Sequence, residues 1–455
     1  MTLKPETALS LGAQLAQGSL DPVELTERTL IQAGEHDSIF ISLTPERARA
    51  EALAARERIR LGLNRSVLDG VPLAWKDLFD LAGSITTAGS RIFSSIPAQR
   101  DAFAVYNAAA AGMVSVGKTN MTEFAYSSLG LNPHYGTPSC ITGKDAPRVP
   151  GGSSSGSAIA VAKGIVSAAI GTDTAGSLRV PAAFNGLVSY KPSQSRHNRI
   201  GVAPLARSLD TMGVISHSLA DCVAIDDIMR CGHIQDRQPI RPAASLFVMD
   251  TSLADDPLIE PAVWENLKKT AARLRQAGCR VEERPIEAVK ETLETIKSLG
   301  WLGAIEAYAE FREILEGSNA SALDSRVRKR LLDARDFPAD RAVVLYAKRA
   351  ELIRKLRMEL QGAILLSPTV AHCAPLLEPV EKDADVFARV NLQTLRLPMI
   401  GSFLDMPAIV FPSGLDPEGN FTSIQISAPC GEDEKLLCTA NGNSVVFMAE
   451  KQRFE

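Results

Sequence analysis

The stretch "GGSSSGSAIAVAKGIVSAAIGTDTAGSLRVP", residues 151–181, joins two kinds of sequence. Its middle, "AIAVAKGIVSAAIGTDT", reads as a helix, a glycine stop and an apolar strand, the grammar of a helix packed on a sheet. Its ends crowd hydroxyls and glycines: Ser153, Ser154, Ser155 and Ser157 fall within seven positions, and Ser177 follows an Ala-Gly pair. The helix-to-strand unit recurs outward in both directions. "DAFAVYNAAAAGMVSVGKTN" predicts a helix ending at Gly112 and a strand over Met113–Val116. "PLIEPAVWENLKKTAARLRQAGCRVEERP" repeats the unit with Gly278 as the stop, and "RAVVLYAKRAELIRKLRMELQGAILLSP" repeats it with Gly362. "TPERARAEALAARERIR" adds a solvated helix with Thr44 as its cap and Pro45 in its first turn. Helices alternating with apolar strands predict an α/β fold whose sheet is covered by helices on both faces. Between about Lys290 and Arg341 the chain turns helical and charged without a clear strand, which predicts a helical insertion in a single domain spanning 1–455.

Composition narrows the function. A chain of 455 residues that is 45% hydrophobic and 22% charged has ample material for a large core. A net charge of −4 gives no electrostatic footprint for nucleic acid, and no basic amphipathic run suggests a membrane surface. No segment approaches the roughly 18 apolar residues of a membrane span, and "MTLKPETALSLGAQLAQGSL" has no charged-then-apolar leader, so a cytoplasmic protein is expected. The cysteines, Cys140, Cys222, Cys231, Cys279, Cys373, Cys430 and Cys438, are odd in number and scattered, which predicts reduced thiols. No HExxH, cysteine pair or tight histidine cluster marks a metal site, and neither a metal nor a cofactor is expected. The default is chemistry on a small molecule.

The serine-rich loop admits two bland readings. As a phosphate cradle it fails both common patterns, because Lys163 comes too late for GxxxxGK[ST] and GxGxxG lacks its acidic partner. As plain turn chemistry it leaves the second Gly-Ser, Gly176 and Ser177, unexplained. That pair falls between an apolar strand and "RVPAAF", where Pro181 can open a short helix. Backbone N–H groups converge at such a junction, as a developing oxyanion requires. A serine nucleophile also needs a base. His36, His134, His197, His217, His233 and His372 stand in unrelated contexts and read as loop or surface residues. A buried lysine can replace imidazole, since desolvation lowers an ammonium pKa. Lys76 interrupts the apolar run "GVPLAWKDLFDLAG"; the alternative is a lysine snorkelling at the surface.

Three blocks in order resemble the amidase signature family of serine hydrolases: "GVPLAWKDLFDLAGSITTAGS", "KTNMTEFAYSSLGLNPHYGTP" and "RVPGGSSSGSAIAVAKG" continued by "AAIGTDTAGSLRVPAAFNGLVSYKPS". Weaker similarity runs on through "GVAPLARSLDTMGVISHSLADC" to the C-terminal "PAIVFPSGLDPEGNFTSIQISAPCGEDEKLL". The resemblance implies the family's fold, a large mixed β-sheet with helices on both faces, and a Ser-Ser-Lys triad. In that triad Ser177 is the nucleophile, Ser153 the bridging serine and Lys76 the base. It further implies an oxyanion hole of the backbone amides of Thr174, Ala175, Gly176 and Ser177. Ser153 is expected to follow a cis peptide made possible by Gly151 and Gly152, Asp173 and Arg179 to brace the loop as an ion pair, and Ser154 and Ser155 to support it by hydrogen bonds.

The chain also departs from the family. Ala175 stands where many members have glycine, Asn185 where many have cysteine, and Ser195 precedes Arg196 where a glycine is common. The expected activity is hydrolysis of a linear amide to a carboxylate and ammonia or an amine by a stand-alone amidase without cofactor, with a homodimer left open. Three alternatives stand beside it: the glutaminase-type A subunit of a tRNA-dependent amidotransferase, a hydrolase of allophanate or a related ureide, and a non-catalytic binding protein on the same fold. "TDTAGS" followed by "VPAAFN" resembles the allophanate hydrolases, which carry an additional C-terminal domain for which these 455 residues are expected to leave no room.

Overall fold

The computed structural model describes residues 6–142 and 146–448. Its strands are β1 (Phe40–Leu43), β2 (Pro72–Lys76), β3 (Val114–Thr119), β4 (Ala168–Asp173), β5 (Val188–Lys191), β6 (Thr211–Ser216), β7 (Leu246–Asp250), β8 (Arg280–Arg284), β9 (Ile364–Pro368), β10 (Ala408–Leu415) and β11 (Phe421–Ser427). They form one sheet of eleven strands in the order β1-β3-β2-β4-β6-β5-β10-β11-β9-β7-β8. The sheet is mixed. β2 runs parallel to β3 and β4, and β7 to β8 and β9, while β4, β5, β6, β10 and β11 pair antiparallel.

Strand side chains alternate between faces, so a sheet covered on both sides needs apolar residues at nearly every position. In β2, Leu73 and Trp75 join one apolar cluster and Ala74 the other; in β4, Ala168 and Ile170 divide from Ala169 in the same way. The helix Ser155–Ala162 covers one face through Ile159 and Val161, and the helix Leu219–Cys231 covers the other through Cys222, Ile225 and Met229. Sequence periodicity alone therefore locates these strands as continuous apolar runs.

Boundaries moved where polar side chains found buried partners. β3 continues to Thr119, past the expected end at Val116, because Lys118 is neutralised in the interior by Asp77 at 2.7 Å. Thr44 does not cap the helix Pro45–Arg60; its hydroxyl donates to the carbonyl of Ser115. The helix Arg179–Phe184 starts two residues before Pro181, which sits where a missing N–H costs nothing. The helix Ala339–Leu360 stops one residue before the left-handed turn at Gln361 and Gly362. From residue 287 to 332 the chain forms the helices Glu287–Leu299, Leu302–Glu316 and Ser325–Leu332. All seven cysteines are free. No helix among the described residues is long and apolar enough to cross a membrane.

Candidate active site

The C-terminal ends of the parallel strands β2 and β4 lie side by side, and the site is built where they stop. Lys76 is the last residue of β2 and is fully buried. Its ammonium nitrogen Nζ lies 2.7 Å from Ser153 Oγ and 2.7 Å from Thr172 Oγ1 of β4. Burial pushes this lysine down to about 7, with only partial opposition from the carboxylates of Asp173 and Asp210. Half its population is thus unprotonated near neutrality, which suits a base.

The serine loop and the junction after β4 interlock. The Gly152–Ser153 peptide is cis. The Gly152 N–H donates to the Ser128 carbonyl, the Thr122 N–H to the Ser153 carbonyl, and the Ser154 N–H to the carbonyl of Ser177 at 3.1 Å. Ser154 Oγ reaches the Thr172 carbonyl at 3.3 Å. Ser155 departs from expectation, since its buried hydroxyl has no hydrogen-bond partner among the described residues. Ser157 supplies the support instead, through Thr119 Oγ1 at 2.7 Å and the Ile170 carbonyl at 3.0 Å.

Asp173 and Arg179 form a fully buried fork at 2.9 and 3.0 Å, and Arg179 also donates to the Pro398 carbonyl and Ser402 Oγ. Burial alone would raise the Asp173 carboxyl; the Arg179 guanidinium outweighs it and holds the group at about 2. Asp173 Oδ1 also accepts the Gly176 N–H at 2.8 Å, which removes that amide from the expected oxyanion donors. Gly176 is irreplaceable on geometry: its φ is +128°, and a Cβ there would meet Pro398 at 2.6 Å. Asn185 anchors the same turn by donating to the carbonyls of Pro150 and Pro181, both at 2.8 Å. Replacing Arg179 by Met should strand the Asp173 charge and lower stability by about 3–5 kcal/mol, with much of the loss recovered in the double variant carrying Asp173→Asn. Urea unfolding of both variants measures this.

Ser177 lies in the wall of a cavity of about 200 Å³ with Tyr126, Trp301, Arg330, Asp333 and Met399. Arg330, on the helix Ser325–Leu332, stacks 4.6 Å over the Tyr126 ring and donates to the Tyr126 carbonyl. Desolvation pushes the guanidinium below its usual value, against the opposing pull of Tyr126 and of Asp333 three residues along. A larger cavity, about 630 Å³, opens on the other side of Thr174 and Leu205 and does not include Ser177 in its wall. No histidine lines the Ser177 cavity. His197 is not a surface residue, since it is buried against Asp226 at 2.7 Å, while His134 is a half-buried turn residue with Nε2 3.0 Å from Glu123. Thr172, Tyr126 and Arg330 were not singled out from sequence. Thr172 had a signal in "GTDTAGS", two positions before Thr174; Arg330 had none within the charged run "RVRKRLLDAR".

A family model described as Amidase matches residues 24–437. The chain belongs to the amidase family. Over nearly its full length it is 31% identical to the A subunit of the glutamyl-tRNA(Gln) amidotransferase of Chromohalobacter salexigens, covering 96% of this chain and 95% of that one. A shorter match, 45% identical over 217 residues, links it to the protein of the same name from Anaeromyxobacter dehalogenans and spans 47% of this chain and 44% of that relative. A crystal structure of an amidase superimposes with a TM-score of 0.83 at 29% identity, covering 95% of this chain and 98% of that one. The fold is thus the mixed sheet with helices on both faces that the resemblance implied.

Proposed function

We propose that the chain is a glutaminase-type amidohydrolase, the role of an A subunit in a tRNA-dependent amidotransferase, and that it converts the side-chain amide of a small amino acid to a carboxylate and ammonia. One observation carries this reading: a single cavity sets Ser177 against Arg330 and Asp333. A guanidinium in a desolvated niche, held by a backbone carbonyl, suits a substrate carboxylate, and a carboxylate three residues along suits an α-ammonium. The relatives named as A subunits of glutamyl-tRNA(Gln) amidotransferases agree with it.

In this mechanism neutral Lys76 takes the proton of Ser153, which takes that of Ser177 as its oxygen attacks the amide carbon. The amides of Thr174, Ala175 and Ser177 stabilise the oxyanion, each worth about 3 kcal/mol. The relay runs back to protonate the leaving ammonia, and water cleaves the acyl-serine. The second reading, a stand-alone amidase, is favoured by the near-complete overlap with a solved amidase. Kinetics of the purified chain on glutamine and on butyramide, which lacks both charged groups, separate the two. Glutamine should be the far better substrate, and Arg330→Met should raise its KM by about 10- to 100-fold while leaving butyramide unchanged. Equal turnover of both amides, with no effect of Arg330→Met, would refute the glutaminase reading.

A further inference from the structure

The segment between β3 and the serine loop touches every working part of the site. Thr122 and Ser128 hold the backbone of Ser153 and Gly152, as described above. The Phe124 N–H donates to the Ala88 carbonyl, and Ala88 in turn donates to the carbonyl of Asp77, next to Lys76. The Phe124 ring stacks on Phe311 at 4.3 Å, and the Tyr126 carbonyl accepts Arg330. Within this segment lies Glu123, a fully buried carboxylate that the mechanism does not use. Its Oε2 accepts the backbone N–H of Asp324 at 2.7 Å. Asp324 is the N-cap of the helix Ser325–Leu332, and its own carboxylate accepts the Arg326 N–H. The other oxygen, Oε1, lies 3.0 Å from His134 Nε2 without a hydrogen bond between them, and the Ser90 side chain also bonds the carboxylate. The His134 backbone N–H is held by Asn132, whose amide nitrogen donates to the carbonyls of Gly89 and Met121.

A buried carboxylate is costly unless its oxygens are used, and here one of them is spent on the start of a single distant helix. That helix carries Arg330 and ends beside Asp333. We propose that Glu123 is a positioning residue for substrate recognition: it anchors the helix Ser325–Leu332 so that Arg330 and Asp333 face Ser177, with His134 lying against the other carboxylate oxygen. This rests on the glutaminase reading. Binding geometry fixed before the substrate arrives lowers KM, so a loosened anchor weakens binding of the charged end and leaves the chemistry at Ser177 in place.

The test compares kcat and KM for glutamine and butyramide in the full chain and in Glu123→Ala, Glu123→Gln, His134→Ala and Arg330→Met. Glu123→Ala should raise the glutamine KM by about tenfold, with kcat and both butyramide constants nearly unchanged. Glu123→Gln, whose carbonyl oxygen can still accept the Asp324 N–H, should recover most of the loss. His134→Ala should shift KM in the same direction by about threefold, and it carries the test if Glu123→Ala fails to fold. A glutamine KM unmoved in both variants, or an equal fall in kcat on both amides, would overturn the proposal. An Arg330→Met chain with unaltered glutamine KM would overturn the glutaminase reading and this inference with it; a raised KM there with normal Glu123 variants would sink the positioning role alone.

Discussion

Ser177→Ala is expected to fold normally and to lose amide hydrolysis by roughly 10⁵- to 10⁶-fold, the scale seen when an acylating serine is removed. At 1.36 kcal/mol per decade this is about 7–8 kcal/mol of transition-state stabilisation. Among the described residues Ser177 Oγ makes no hydrogen bond on which the fold rests; the residue's structural contribution is its carbonyl, which accepts the Ser154 N–H and which alanine retains. Circular dichroism and urea unfolding should therefore match the parent while turnover vanishes. Activity near the parent's level would remove Ser177 from the mechanism.

Lys76→Ala should cost about 10²- to 10⁴-fold, the usual contribution of a positioned base. Its pH dependence is more diagnostic than its size. Burial brings Lys76 down to about 7, so the neutral amine prevails above that pH and the ammonium below it. Because only the neutral form accepts the Ser153 proton, kcat/KM should rise with pH, fall about tenfold per unit on the acid side, and level off above 7. The residual rate of Lys76→Ala should lack this limb. A parent profile flat from pH 5 to 8 would contradict a lysine base.

The sheet and the loops at its centre could be read from the chain because their signals are local. A strand buried on both faces appears as an unbroken apolar run, and a Gly-Ser pair between strand and helix marks a junction where amides converge. Lys76 stood out because a charge inside such a run needs a partner, and both Ser153 and Thr172 supply one. Lys118 carried the same signal but passed unnoticed. Its partner Asp77 lies 41 positions away in the sequence, and the strand consequently looked two or three residues shorter than it is. The residues proposed to bind substrate are less visible still. Arg330 shares its helix with Arg326, Arg328 and Lys329, and only the packing of that helix separates Arg330, over Tyr126 in the cavity, from Arg326 over Phe387 and from the exposed Arg328 and Lys329. The Gly176 amide illustrates the opposite error: it belongs to the loop that resembles an oxyanion hole, yet the Asp173 carboxylate claims it.

The central claim is a covalent acyl-enzyme at Ser177, and active-site labelling followed by peptide mapping tests it most directly. A fluorophosphonate should add once per chain, on the peptide containing Ser177, and activity should fall in proportion to labelling and remain indifferent to EDTA. Labelling confined to Ser153 or Ser154, or activity that survives full labelling and is lost in EDTA and restored by a divalent metal, would contradict it.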